Sequence, residues 1–99
     1  MITRTDIINY YIKENQYKSY LEIGVASGAN YDNIEIKERE SVDPAIGAYN
    51  SSRPTYMMTS DIFFSTIVND KFYDIIFIDG LHEYQQVYKD ILNSLNQKI

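Results

Sequence analysis

The stretch Tyr20-Leu21-Glu22-Ile23-Gly24-Val25-Ala26-Ser27-Gly28 decides the fold class of this chain. A short β-prone run ends at Ile23 and passes directly into small residues, which predicts a buried strand running into a tight turn. Small residues let a ligand approach the backbone amides closely, and the Glu22 carboxylate can accept a hydrogen bond from an amine or a hydroxyl. The same pattern also fits an ordinary turn between a strand and a helix, so alone it does not decide the function.

Outward from this turn, strand and helix patterns alternate. An amphipathic helix is expected from Thr5 to about Asn15, capped by Thr5 or Asp6. Further strands are expected at 40–43, 55–58 and 74–79, and further helices at 30–37, after a cap at Thr59 or Ser60, and from Glu83 onward. The run 74–79 is apolar between two acids, which is typical of a parallel strand covered on both faces. The alternation predicts a doubly wound parallel α/β sheet with helices on both faces.

The composition narrows the class of protein. The 99 residues are 44% hydrophobic and 23% charged, which fits one small globular domain. Nine basic and fourteen acidic residues give a formal charge of −5 without a basic cluster, which disfavours binding to nucleic acid. We find no apolar run long enough to cross a membrane and no signal-peptide core, so we expect a cytoplasmic protein. The lack of cysteine excludes disulfides, thiolate zinc sites and cysteine nucleophiles.

Candidate functional residues follow the expected strands, because ligands of an open α/β sheet bind at the carboxyl ends of the strands. Asp43 lies about 20 residues after the first turn, where an acid of such folds binds ribose hydroxyls. An Asp-Pro turn is the alternative interpretation. Asp79 and His82 place a carboxylate and the only histidine beside the same rim, and histidine is the commonest general base near neutral pH. A strand-end acid and a helix-start histidine without a catalytic role are again the alternative.

Taken together, these residues resemble the class I S-adenosylmethionine-dependent methyltransferases. The resemblance is to the branch in which a strand ends in Ile-Asp-Gly-x-His-x-Tyr and is followed by a Val-x-x-Asp-Ile helix. Here the motifs read Ile78-Asp79-Gly80-Leu81-His82-Glu83-Tyr84 and Val87-Tyr88-Lys89-Asp90-Ile91. The match extends from about Lys18 to Asn96. It implies a Rossmann-like sheet that binds S-adenosylmethionine.

The resemblance also implies roles for individual residues. Asp43 would hold the ribose hydroxyls of the cofactor. The remaining cofactor contacts would be Glu22, Gly24, Ala26 and Gly28 around the methionine end, and Ser60 and Asp61 at the adenine. Ala26 stands where the family often has a glycine, and its side chain is still small. By similarity to metal-dependent sugar O-methyltransferases, Asp79 would bind Mg²⁺ and His82 would deprotonate the acceptor hydroxyl.

A complete domain of this family has further strands beyond those found here. We therefore expect residues 1–99 to form a single, incomplete domain with about four strands, the N-terminal part of the fold. The strand 74–79 would then lack a neighbour on one side, and an open edge of this kind favours pairing, for example with the same strand of a second copy in a homodimer. Completion by another chain, or aggregation of an incomplete product, are the alternatives.

Three functions remain open at this point. The first is methyl transfer to a hydroxyl of a sugar or another small acceptor. The second is a non-catalytic module that binds S-adenosylmethionine at most or serves in assembly, and cofactor binding without turnover would separate it from the first. The third is a dinucleotide-binding oxidoreductase fragment, which Ala26 disfavours because that fingerprint requires glycine at this position.

Overall fold

The computed structural model describes residues 1–24, 29–44, 54–66, 72–78 and 91. Strands and helices alternate as the sequence predicts. The elements are α1 (Arg4–Asn15), β1 (Ser19–Ile23), α2 (Ala29–Asp32), β2 (Glu38–Val42), α3 (Ser60–Thr66) and β3 (Ile75–Ile78). The helix expected from Glu83 onward lies outside the described residues, apart from Ile91.

The three strands form one parallel sheet with β1 in the centre, in the order β2-β1-β3. Beyond β2, Tyr56 makes an isolated parallel bridge to Val42. The segment 55–58 was expected to be a strand, but pairing stops there because the Met58 amide turns back to the Tyr56 carbonyl at 3.1 Å. In the described part of the chain the sheet therefore has three strands rather than four. Its spatial order is Tyr56, β2, β1, β3.

The two faces of the sheet pack against different helices, because side chains alternate along each strand. On one face, Leu21 packs in a cluster with Phe63 of α3. On the other, Tyr20 packs with Ile8 and Ile12 of α1. The protein is thus a small α/β domain with a parallel sheet between helices, and the prediction of helices on both faces is confirmed.

The helix boundaries follow local hydrogen bonds. The predicted caps of α1, Thr5 and Asp6, are wrong because Thr3 is the cap. The Asp6 amide donates to Thr3 Oγ1 at 3.2 Å and the Thr3 amide donates to Asp6 Oδ2 at 2.9 Å. This reciprocal arrangement starts the helix at Arg4. At α3, Thr59 Oγ1 accepts from the Ile62 amide at 3.2 Å, which confirms Thr59 as one of the two expected caps.

The second helix is shorter than predicted. It ends at Asp32 instead of continuing to 37. The Ile34 amide bonds only as far back as the Tyr31 carbonyl, at 3.3 Å, and the chain then extends into β2 from Glu38. Ile34 is still used in packing, since it is 3% exposed in the cluster beneath α1.

Asp74 fixes the register of β3 against β1. Its Oδ2 accepts from the Lys18 amide at 2.7 Å, and its own amide donates to Ser19 Oγ at 2.9 Å and to the Ser19 carbonyl at 3.1 Å. A slip by one residue would turn every side chain of the strand to the opposite face. The clamp therefore determines which residues of β3 meet which helix.

None of the described helices is long and apolar enough to span a lipid bilayer.

The packing of α3 predicts that substitutions at two neighbouring residues will change the stability by different amounts. Phe63 is 0% exposed and Ile62 is 50% exposed. Phe63→Ala should lower the free energy of unfolding by about 3–5 kcal/mol, because it leaves a cavity under the sheet. Ile62→Ala should change it by less than about 1 kcal/mol. Urea unfolding followed by circular dichroism measures both, and equal losses would contradict the placement of α3.

Candidate functional site

The carboxyl ends of the strands form one edge of the sheet. Ile23 of β1 lies opposite Val42 of β2 and Ile78 of β3, so all three strands end at the same level. The next residues, Gly24 and Asp43, follow two paired neighbours. The strand order reverses here, since β2 and β3 lie on opposite sides of β1. Open α/β sheets bind their ligands at such a reversal.

Gly24 leaves the strand conformation immediately after Ile23. Its φ of 87° lies in a region that glycine enters freely and that costs other residues about 1–2 kcal/mol. Its amide still donates to the Val42 carbonyl, at 2.8 Å. The backbone therefore turns at the edge of the sheet without a β-carbon to cover it.

Asp43 is held at the same edge by its backbone. Its amide donates to the Tyr56 carbonyl at 3.2 Å, and the Tyr56 amide donates to the Ser41 carbonyl at 2.9 Å. The Asp43 side chain is half-buried. Pro44 follows, so the arrangement fits an Asp-Pro turn as well as a ligand-binding acid.

Glu22, expected at the methionine end of the cofactor, lies in a buried polar network. Its side chain is 1% exposed. Its Oε1 accepts from the Tyr20 hydroxyl at 2.6 Å and from Asn30 Nδ2 at 2.8 Å. Asn30 Oδ1 in turn accepts from Thr5 Oγ1 at 2.6 Å. Donors from the chain itself thus stabilise this carboxylate, as a buried charge requires.

The network joins three elements of the fold. Thr5 belongs to α1, Asn30 to α2, and Glu22 to β1 near its carboxyl end. Sequence reasoning missed Thr5, Tyr20 and Asn30 as partners of Glu22. For Tyr20 a signal existed, because residues two apart on a strand share a face. For Asn30 there was none, because its contact depends on how the chain returns after the turn.

A second brace lies beside this network. Asn9 of α1 donates through Nδ2 to the Asn33 carbonyl at 3.0 Å and accepts the Glu35 amide through Oδ1 at 2.8 Å. These groups line an open polar cavity of about 540 Å³ between α1 and the segment after α2. Because the Asn9 amide group is already bonded on both sides, it holds the two segments together.

Glu40 is a second carboxylate that accepts hydrogen bonds from tyrosine hydroxyls. Its Oε1 accepts from the Tyr73 hydroxyl at 2.6 Å and its Oε2 from the Tyr56 hydroxyl at 3.2 Å. Burial, followed by the hydrogen bond to Glu40, raises the pKa of Tyr73 above the ordinary tyrosine value. Burial, followed by the charge of Glu22, raises the pKa of Tyr20 in the same way. Both phenols therefore stay protonated and act as donors.

The residues expected at the adenine lie in the first turn of α3. Ser60 is 9% exposed, whereas Asp61 is exposed. Phe63, which follows in the same helix, is packed against the sheet. Of these two polar residues, Asp61 is the one that solvent and ligands can reach.

Four of the expected site residues lie outside the described residues: Ala26, Gly28, Asp79 and His82. Their roles in binding the cofactor, magnesium and the acceptor proton stay predictions. In the part of the chain that the structure describes, no three acidic or histidine side chains come together as a metal site.

The two buried phenols predict a loss of stability at alkaline pH. Because folding raises the pKa of Tyr20 and of Tyr73, their contribution is fully present below about pH 10 and is lost as the pH rises above it. Each should add to the fall in unfolding free energy a slope that approaches about 1.4 kcal/mol per pH unit above about pH 10. Urea unfolding from about pH 8 to about pH 11, a range around the ordinary tyrosine pKa, measures how the unfolding free energy changes with pH.

Tyr20→Phe and Tyr73→Phe serve as each other's controls in this experiment. Each substitution should remove the part of the slope that its own tyrosine contributes and leave the contribution of the other tyrosine unchanged. If both variants kept the slope of the unmodified chain, the burial of these two phenols beside Glu22 and Glu40 would be contradicted.

Comparison with protein-family models, with curated proteins and with solved structures gives no match to this chain. The function is therefore inferred from its own residues and their placement.

Proposed function

We propose that this chain binds S-adenosylmethionine at the carboxyl edge of its sheet, as the cofactor-binding part of a Rossmann-like methyltransferase. The observation that carries the proposal is the adjacency of Gly24 and Asp43 at the ends of two paired parallel strands. The reversal of strand order at β1 supports a ligand at this edge.

The chemistry of the two residues suits the two parts of the cofactor. Gly24 has no β-carbon and a positive φ, so the amino-acid end of the cofactor can approach the backbone there. An ionised carboxylate only accepts hydrogen bonds, and a ribose diol offers two donors to the two oxygens of Asp43.

For the transfer step we propose a hydroxyl of a sugar or another small molecule as the acceptor. In this proposal His82 takes the hydroxyl proton while the oxygen attacks the methyl carbon, and the carbon–sulfur bond breaks to leave S-adenosylhomocysteine. Asp79 supplies a carboxylate oxygen of the kind that Mg²⁺ prefers, and the ion would lower the pKa of the hydroxyl. Both roles come from the resemblance of the motif 78–84.

A non-catalytic module that binds the cofactor at most is the second candidate. The observation that favours it is the state of Glu22, which is 1% exposed and accepts hydrogen bonds from Tyr20 and Asn30. In that state the carboxylate braces the fold. Cofactor binding without methyl transfer would distinguish this candidate from the enzyme.

Removal of the Asp43 carboxylate tests the binding site. Asp43→Ala should weaken binding of S-adenosylmethionine and S-adenosylhomocysteine by about 100-fold or more, because two charge-assisted hydrogen bonds are lost. Isothermal titration calorimetry measures the affinity. Asp32→Ala is the matched control, since it removes the same group from an exposed position of α2 and should leave the affinity unchanged. Unchanged affinity in Asp43→Ala would contradict the site, and tighter binding of NAD would favour the oxidoreductase alternative.

Replacement of the histidine tests the transfer step. His82→Ala should bind S-adenosylmethionine as the unmodified chain does, and should transfer methyl groups about 100-fold more slowly or worse, because the general base is lost. Transfer of a labelled methyl group to a panel of sugars and hydroxylated metabolites, with Mg²⁺ present, gives the rate. Binding without transfer in the unmodified chain would instead support the non-catalytic module.

A further inference from the structure

Helix α1 has an exposed face in addition to the face that packs on the sheet. Ile8 and Ile12 are each 6% exposed, whereas Ile7 and Tyr11 are 49% and 51% exposed. Residues spaced by three and four positions share one side of a helix. Four exposed residues of α1 have this spacing, and we name them the α1 seam: Arg4, Ile7, Tyr11 and Glu14.

We propose that the α1 seam binds the α1 seam of a second copy of this chain, with the two helices antiparallel across a two-fold axis. The four residues are symmetric about position 9. In such a pair, Arg4 lies opposite Glu14 of the second copy, and Ile7 lies opposite Tyr11 of the second copy. Each contact then occurs twice, as a two-fold interface requires.

The charges of the seam select this occupant and this direction. A parallel pair would place Arg4 against Arg4 and Glu14 against Glu14, whereas the antiparallel pair joins opposite charges at both ends. Within α1 itself the two charges are unfavourably placed, because the helix dipole favours acids in the first turn and bases in the last. In the antiparallel pair each of these charges faces an opposite charge of the second copy.

The position of α1 over the sheet adds a second surface on the same side. The Arg4 guanidinium lies 5.7 Å from the ring centroid of Phe77, so the start of α1 lies above β3. Among the described strands, β3 has β1 as its single neighbour. A two-fold axis normal to the sheet that pairs the helices also brings the two β3 edges together antiparallel, which is where the sequence predicted a homodimer.

The size of the contact supports the use of both surfaces. A stable interface buries about 800 Å² on each partner. The α1 seam consists of four side chains of one helix, whereas an interface of that size engages about 20–30 residues on each partner. The edge of β3 that has no partner among the described strands would supply further hydrogen bonds. The seam then fixes the direction of pairing and the strand edge adds area.

Charge reversal tests the proposal in the full chain by sedimentation velocity across a range of concentrations. The unmodified chain should dimerise reversibly. Arg4→Glu or Glu14→Arg alone should weaken dimerisation by about 10-fold or more, because each places like charges together at both ends of the seam. The double variant Arg4→Glu/Glu14→Arg should restore it. Both reversals suit the helix dipole, so the helix should stay folded, which circular dichroism verifies.

Lys13→Glu is the control, because it makes the same charge change on an exposed residue of α1 outside the seam. It should leave the dimer unchanged. A monomer at every concentration overturns the proposal, as does a dimer that neither single reversal weakens. A double variant as weak as the single ones also overturns it, since the antiparallel contact would then be absent. None of these residues belongs to the proposed cofactor site, so cofactor binding tests that site separately.

Discussion

The buried carboxylate of Glu22 constrains the arrangement of the helices around the central strand. A carboxyl group that is 1% exposed is tolerated only when hydrogen-bond partners surround it. The donors come from Tyr20 on the same strand and from Asn30 of α2, and Asn30 is oriented by Thr5 of α1. The side chains that satisfy this charge therefore also fix α1 and α2 relative to the end of β1. The polar network and the apolar cluster of Ile8, Ile12 and Tyr20 both hold α1 against the same face of the sheet.

The burial of Glu22 also limits which residues at the carboxyl edge of the sheet could bind a ligand. Glu22 is engaged in the network, and among the described residues the Gly24 backbone and Asp43 directly follow the ends of β1 and β2. The backbone at Gly24 is shaped by its positive φ, and Asp43 is held through Tyr56. At these two residues the proposed cofactor would thus meet a backbone whose geometry is set before binding, which reduces the ordering cost of association.

Much of the fold could be predicted from the sequence, because strong local patterns determine it. The apolar run 75–78 and the small residues after Ile23 placed two strands and the turn at Gly24 correctly. Local sequence patterns gave wrong predictions where contacts between residues far apart in the sequence determine the structure. Thr5 looked like a helix cap, but its hydroxyl bonds Asn30, 25 residues away, while Thr3 caps the helix. Tyr56 looked like part of a strand, and a turn at Met58 limits it to one bridge.

The candidate site was only partly accessible to the same reasoning. Strand ends can be located from sequence, so Gly24 and Asp43 were found together. The burial of Glu22 depends on side chains from α1 and α2, and no periodicity in the sequence reports their approach. From sequence alone, a carboxylate before a glycine-rich turn is therefore predicted to contact a ligand. The same prediction results when the carboxylate accepts hydrogen bonds from donors within the protein.

The Asp74 clamp has a consequence for the order in which the molecule assembles. It joins Asp74, which directly precedes β3, to Ser19 at the start of β1 and to Lys18 just before it, 55 and 56 positions earlier, so β1 gains this neighbour only after β2 and α3 have been made. Until then one edge of β1 presents unpaired backbone groups in a nascent chain that already holds α1, α2 and β2. Contacts of such long sequence separation slow folding. Among the described strands, the last to be made thus pairs with the first.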